Sequence, residues 1–150
     1  MATLGTKLAT RLGIVIEASG YTPTRLSLDM RKARNWLTRK LGDGEESRGL
    51  TVADCEEVLA FLEVPDHLLL TPLMLDGDLQ VLRYLAAQGG WIGSTTVGGI
   101  FQRAPAALKR LLGQGLIDAS AGEVRATPHG RLVADEKVPH LQLTQNPTTR

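Results

Sequence analysis

The stretch Gly20-Tyr21-Thr22-Pro23-Thr24-Arg25-Leu26-Ser27-Leu28-Asp29-Met30-Arg31-Lys32-Ala33-Arg34-Asn35-Trp36-Leu37-Thr38-Arg39-Lys40-Leu41 decides how this chain is read. Thr22 before Pro23 is a capping residue followed by proline at the first helical position. A short helix from Pro23 to about Asp29 follows, with Leu26 on its inner face. A turn then leads to a helix from about Lys32 to Leu41, with Leu37 inside. The segment from Arg31 to Lys40 holds five bases (Arg31, Lys32, Arg34, Arg39, Lys40) and no acid. Such clustering suits a polyanion, because each neutralised phosphate releases counterions.

Working outward, Leu8, Leu12, Val15 and Ile16 recur at helical spacing, which predicts an amphipathic helix from about Thr6 to Ser19, ended by Gly20. Gly42, Asp43 and Gly44 stop the basic helix, and a polar loop runs from Glu45 to Gly49. Thr51 and Asp54 form a capping-box pattern for the next helix. Val52, Cys55, Val58, Leu59 and Leu62 are its expected buried stripe. Pro65 ends it, and Asp66 opens a short helix through Leu70. A domain boundary is expected over residues 70–77.

The second half has another pattern. A helix is expected over Asp78 to Gln88, with Leu79, Leu82 and Leu85 inside, ended by Gly89-Gly90. Trp91 to Gly93 reads as a very short strand. A short helix runs to about Phe101, and Ala104-Pro105 opens a third, with Leu108, Leu111 and Leu112 as its stripe. Leu116 to Ala119 and Glu123 to Ala126 are two strands around Ser120-Ala121-Gly122, a hairpin turn. Thr127-Pro128 caps a last helix to about Glu136. From Lys137 onward the chain reads as a mobile tail.

The 150 residues suit one domain or two small ones, with 43% apolar and 22% charged residues, as in ordinary globular chains. That excludes a largely disordered chain, a collagen-like repeat and a disulfide scaffold. The long uncharged stretch Leu85 to Gln102 is too rich in Gly, Ser and Thr for a membrane span. No signal peptide is expected at the N-terminus. The single cysteine, Cys55, fits a reducing cytoplasm. The net charge of +1 hides a pattern: residues 1–50 carry +4, residues 51–80 carry −7 and residues 81–150 carry +4.

No metal or catalytic site is expected. His67, His129 and His140 are scattered without metal-ligand spacing. Cys55 lies on an apolar stripe and reads as a buried thiol. The pairs Gly89-Gly90 and Gly98-Gly99 lack the strand-then-helix setting of a dinucleotide site. The carboxylates of Asp54, Glu56, Glu57 and Glu63 are spread around a helix. No cofactor and no enzyme activity are expected.

The residues from Gly20 to Leu41 resemble the lambda-repressor-like (Cro-type) helix-turn-helix domain, and the likeness covers about residues 6–70, five helices in the family's order. Leu26 stands at the family's buried leucine, and Ser27 at the small residue where the two helices touch. Met30 and Leu37 fill the remaining core slots. Leu50-Thr51-Val52 and Leu59 to Pro65 look like the fourth helix and its exit. Arg31 departs from the pattern: it stands at the turn position where the family usually has glycine. A left-handed backbone there costs a non-glycine residue about 1 kcal/mol, so the turn is expected to be rebuilt.

The second half resembles a winged-helix domain over about residues 76–136. Ala107-Leu108-Lys109-Arg110-Leu111-Leu112-Gly113-Gln114-Gly115-Leu116-Ile117, the hairpin and Arg125-Ala126-Thr127-Pro128-His129-Gly130-Arg131-Leu132 carry the likeness. The stretch Thr95 to Ala107 is shorter than usual.

The expected fold is therefore mostly α: an N-terminal five-helix helix-turn-helix domain over residues 1–70, a winged-helix domain with a short β-hairpin over residues 71–137, and a tail over residues 138–150. Lys32, Arg34, Asn35 and Thr38 are the candidate base readers, since Arg takes guanine and Asn takes adenine in a bidentate way. Thr22 and Thr24 are candidate phosphate binders at a helix start. Arg25, Arg39 and Lys40 are further phosphate candidates. The second half adds Arg103, Lys109, Arg110 and, at the wing, Arg125. Trp36 is expected to pack against the first helix. Two modules with no ligand or protease domain resemble a temperate-phage immunity repressor or a related small prokaryotic regulator, acting in the cytoplasm on a double-stranded DNA operator. A single chain on an asymmetric site and a homodimer on a palindrome are both open. Two other classes stand beside this: a protein-interaction adaptor or anti-repressor, and a nonspecific nucleoid or recombination accessory protein.

Overall fold

Thr3, Thr22, Thr51 and Thr127 each cap a helix by accepting from the backbone N–H three residues on. The computed structural model describes residues 3–42 and 49–143 and is mostly helical. Helix α1 spans Leu4–Ala18, α2 Pro23–Asp29, α3 Trp36–Leu41 and α4 Val52–Leu62, followed by a 3-10 turn over Asp66–Leu70. Strand β1 (Leu73–Leu75) leads into α5 (Asp76–Gln88), β2 (Ile92–Gly93), α6 (Ser94–Ile100) and α7 (Ala104–Gly113). Strands β3 (Ile117–Ser120) and β4 (Glu123–Ala126), helix α8 (Pro128–Ala134) and strand β5 (Leu141–Leu143) complete it. Residues 43–48, which hold most of the expected polar loop Glu45 to Gly49, and the last seven residues lie outside the described residues.

Two apolar cores form. Leu12, Val15, Ile16, Leu26, Leu37, Val58 and Leu59 fill the first; Leu79, Leu82, Leu85, Val97, Leu111, Leu116 and Val133 fill the second. The capping box of Thr51 and Asp54 forms as expected, and Cys55 is buried. Two stripe residues do not follow the expectation: Val52 is 68% exposed and Leu112 42% exposed. Each lies near an end of its helix.

The expected boundary over residues 70–77 holds the buried strand β1, where one core gives way to the other. Leu73 and Leu75 of β1 pack in the first core, and Met74 packs in the second. The expected tail over residues 138–150 also needs correction. Leu141 to Leu143 pair in parallel with β1, Leu73 opposite Leu141 and Leu75 opposite Leu143. Both leucines pack against the first core, so burial of alternate residues orders this segment.

Helix α1 sits between the two halves. Beyond the expected stripe it buries Ile14 and Arg11. Gly113 of α7 faces Thr10, leaving no room for a Cβ between the helices. Gln114 is fully buried: its Oε1 accepts from Arg11 Nε (3.1 Å) and Leu73 N (2.9 Å), and its Nε2 donates to Leu73 O. Arg11 Nη1 donates to Leu69 O at 3.0 Å. These bonds satisfy polar groups that would be costly to bury alone. Burial holds the Arg11 guanidinium below its ordinary pKa.

Helix α3 begins four residues later than expected. Arg31 takes the left-handed conformation (φ 61) and ends α2, with Arg31 N bonding Leu28 O and Lys32 N bonding Ser27 O. A further turn, Trp36 N to Ala33 O at 2.9 Å, precedes α3. Ser27, wholly buried, ties the unit together: its hydroxyl donates to Pro23 O (2.7 Å) and accepts from Leu37 N (3.1 Å). In the second half, the antiparallel sheet runs β2-β4-β3, and the hairpin turn places Ala121 (φ 51) and Gly122 (φ 79) in left-handed backbone.

Candidate nucleic-acid interface

The α2–turn–α3 unit carries nine of the candidate residues and sorts them by environment. Thr22 is exposed and caps α2, accepting from Arg25 N at 3.1 Å; Thr24 is half-buried. Arg25 lies 3.3 Å from Asp29, one turn on, with 71% of its side chain exposed. A pair so exposed contributes little and opens readily to another anion.

Two candidates turn inward to the acids of α4. Lys32 Nζ lies 2.9 Å from Glu57 and 5.0 Å above the Trp36 ring. Lys40 Nζ lies 3.0 Å from Asp54 and 3.2 Å from Gly49 O. Burial pushes the Asp54 carboxyl up, but the Thr51 hydrogen bonds and Lys40 outweigh it and hold the pKa below the usual range. Lys32, like Arg34 and Asn35, precedes the first residue of α3, and its ammonium pairs with Glu57 of α4. Trp36 packs against the first core, as expected, with Lys32 over its ring.

Arg34, Asn35, Thr38 and Arg39 remain. All four are exposed. Asn35 stands at the start of α3, and its side chain makes no cap hydrogen bond. Neither Arg34 nor Arg39 has an ion-pair partner among the described residues. Arg31, read from the sequence only as a turn residue, is also exposed and unpaired there. Its left-handed position was the one signal pointing to it.

The second half offers less. Arg103 is exposed at φ 57 just before α7, and Lys109 is exposed on α7. Arg110 is engaged within the fold. Its Nε and Nη2 hold both oxygens of Asp78, at 2.8 and 3.0 Å, and Glu17 of α1 lies 3.7 Å away. Burial alone would lower the Arg110 pKa; the Asp78 bonds and charge, with Glu17, raise it instead. Arg125 on β4 lies 4.4 Å from the centre of the Trp91 ring and 3.4 Å from Asp118, and is 45% exposed. The C-terminal half of α7 is covered by α1 at Gly113 and Arg110.

The remaining chemistry is sparse. Burial, then Asp54 and Glu56, push the Cys55 thiol up, which disfavours a reactive thiolate. His129, in the first turn of α8, is held below its ordinary pKa by burial and by Lys7 and Arg11. Among the described residues no cluster of His, Cys, Asp and Glu could hold a metal ion, and no helix is long and apolar enough to cross a membrane. Comparison of the chain with protein-family models, with curated proteins and with solved structures finds no match.

Proposed function

We propose that this chain is a sequence-specific double-stranded-DNA-binding transcriptional repressor, of the phage-immunity type, that blocks a promoter by occupying its operator. One observation carries the reading. The α2–turn–α3 unit, tied by Ser27, presents Arg34, Asn35, Thr38 and Arg39 outward without an acidic partner among the described residues. A turn leading into a helix and bearing Arg and Asn suits base edges in the major groove. The order α5–β2–α6–α7–β3–β4, with sheet order β2-β4-β3, supports the winged-helix likeness of the second half. With Arg110 engaged by Asp78, that half serves chiefly to support the first and adds Arg103, Lys109 and, at the wing, Arg125. Buried β1 and the Arg11–Gln114 bonds make the two halves bind as one body, not as heads on a flexible tether.

Selection of bound duplexes from a random library, at low and physiological salt, tests the reading. One enriched motif of about 10 base pairs or more is expected, and its symmetry separates monomer from dimer. Binding without enrichment, lost as salt rises, indicates the nonspecific accessory protein. No binding at either salt favours the adaptor reading, for which α4 offers exposed Val52 and Phe61 beside Glu56 and Glu57.

The environments of neighbouring bases make a second test. Arg39→Ala lowers the slope of log K against log salt by about one. Lys40→Ala, whose ammonium is held by Asp54, lowers it by much less. Equal slopes for the two variants contradict the assignment.

A further inference from the structure

Five described residues other than glycine adopt left-handed backbone: Arg31, Glu63, Arg103, Ala121 and Glu136. Three of them close a helix in one way. Arg31 N bonds Leu28 O (3.0 Å) while Lys32 N reaches Ser27 O (2.9 Å). Glu63 N bonds Ala60 O (3.1 Å) with Val64 N on Leu59 O (2.9 Å), and Glu136 N bonds Val133 O (3.0 Å) with Lys137 N on Leu132 O (2.9 Å). After α1 and α7 the same pattern is made by Gly20 and Gly115. Glycine is the residue this position accepts without strain; a side chain there strains the backbone.

The charge of the strained residue follows its place. Arginines stand in the turns that precede α3 and α7, and glutamates follow α4 and α8. Glu136 is held by Arg83 at 2.8 Å. Arg31 is exposed and its side chain makes no ion pair or hydrogen bond among the described residues. It opens the loop that carries Arg34 and Asn35. Among the described residues no ion pair or hydrogen bond of its side chain accounts for arginine where glycine fits better, whereas strain kept at a binding surface has a function.

We propose that Arg31 is a phosphate contact of the DNA interface, held at the α2–α3 turn by its left-handed backbone; this rests on the DNA-binding reading above. Its guanidinium takes a phosphate oxygen pair. That contact fixes the register of the loop, so Arg34 and Asn35 meet base edges. The contact carries no sequence information of its own.

The test uses the full chain and a mixed-sequence 30-base-pair duplex as probe, titrated across a salt series. Arg31→Gly is expected to keep or raise the melting temperature, as Glu63→Gly does, while lowering the salt slope by about one. At 0.1 M salt that slope change corresponds to about eightfold weaker binding. Arg31→Lys keeps most of the slope, Arg31→Gln loses it, and Glu63→Gly leaves it unchanged. A wild-type slope for Arg31→Gly, while Arg39→Ala lowers it, overturns the proposal and leaves the DNA reading standing. Absence of wild-type binding at any salt overturns both.

Discussion

Asp78→Ala lowers the unfolding free energy by about 3–5 kcal/mol, the cost of breaking a buried ion pair by removing one partner. Asp78 is 1% exposed and holds the Arg110 guanidinium through two bonds at 2.8 and 3.0 Å. Bidentate pairs of this kind are the strong ones. Removing the carboxylate leaves Arg110, with 19% of its side chain exposed, facing only Glu17 at 3.7 Å. Asp78 also lies in the first turn of α5, where a negative charge is favourable. Urea unfolding reads the effect as a lower midpoint at unchanged slope. A loss under about 1 kcal/mol would mean that the pair behaves as an exposed one. Replacing both partners by apolar residues is expected to cost less than either single change, because no charge is stranded.

Gly130→Ala destabilises by about 3 kcal/mol, at the upper end of the range for overpacking. Helix propensity alone predicts the opposite sign, since alanine in a helix is better than glycine by about 1 kcal/mol. Packing decides. A Cβ at Gly130 falls on the carbonyl oxygen of Leu116, 2.9 Å from its carbon and 3.2 Å from Leu82 Cδ1. That carbonyl is fixed, because it accepts from Thr127 N at 3.0 Å. The wall is backbone, so no rotamer change relieves it. At Gly113 the neighbour is the Thr10 side chain, which can turn, so Gly113→Ala costs less. Thermal unfolding of the two variants checks the order, and a raised melting temperature for Gly130→Ala would show that α8 can move away from Leu116.

Local signals in the sequence were enough for most helices. Thr22-Pro23, Thr51 with Asp54, and Thr127-Pro128 each mark a helix start through chemistry confined to four residues. The Ala121-Gly122 turn between short strands is equally local. What escaped depends on partners far away in the chain. Nothing local singles out Arg11, whose buried partner Gln114 lies 103 residues on. Arg110 reads as a free cation on a helix until Asp78 meets it across α5 and α7. Leu141 to Leu143 is too short an alternation to announce a strand without β1 beside it. The turn expected to be rebuilt at Arg31 instead keeps the left-handed backbone with arginine in it, and the extra turn closed by Trp36 on Ala33 is what delays α3. The same logic divides the candidate site. Exposure of Arg34, Asn35, Thr38 and Arg39 follows from local pattern, whereas the capture of Lys32 and Lys40 by α4 is tertiary.

The central claim is that the start of α3 reads base sequence. Its most direct test is the ratio of affinities for the duplex enriched from the library and for a scrambled duplex, in wild type and in Arg34→Ala/Asn35→Ala. Both residues are exposed, so folding stability stays within about 0.5 kcal/mol. The ratio is predicted to fall by about 1–3 kcal/mol for each bidentate side chain–base pairing that the substitutions remove. An unchanged ratio, with both affinities reduced alike, would contradict the account and leave these residues as part of a nonspecific phosphate-binding surface.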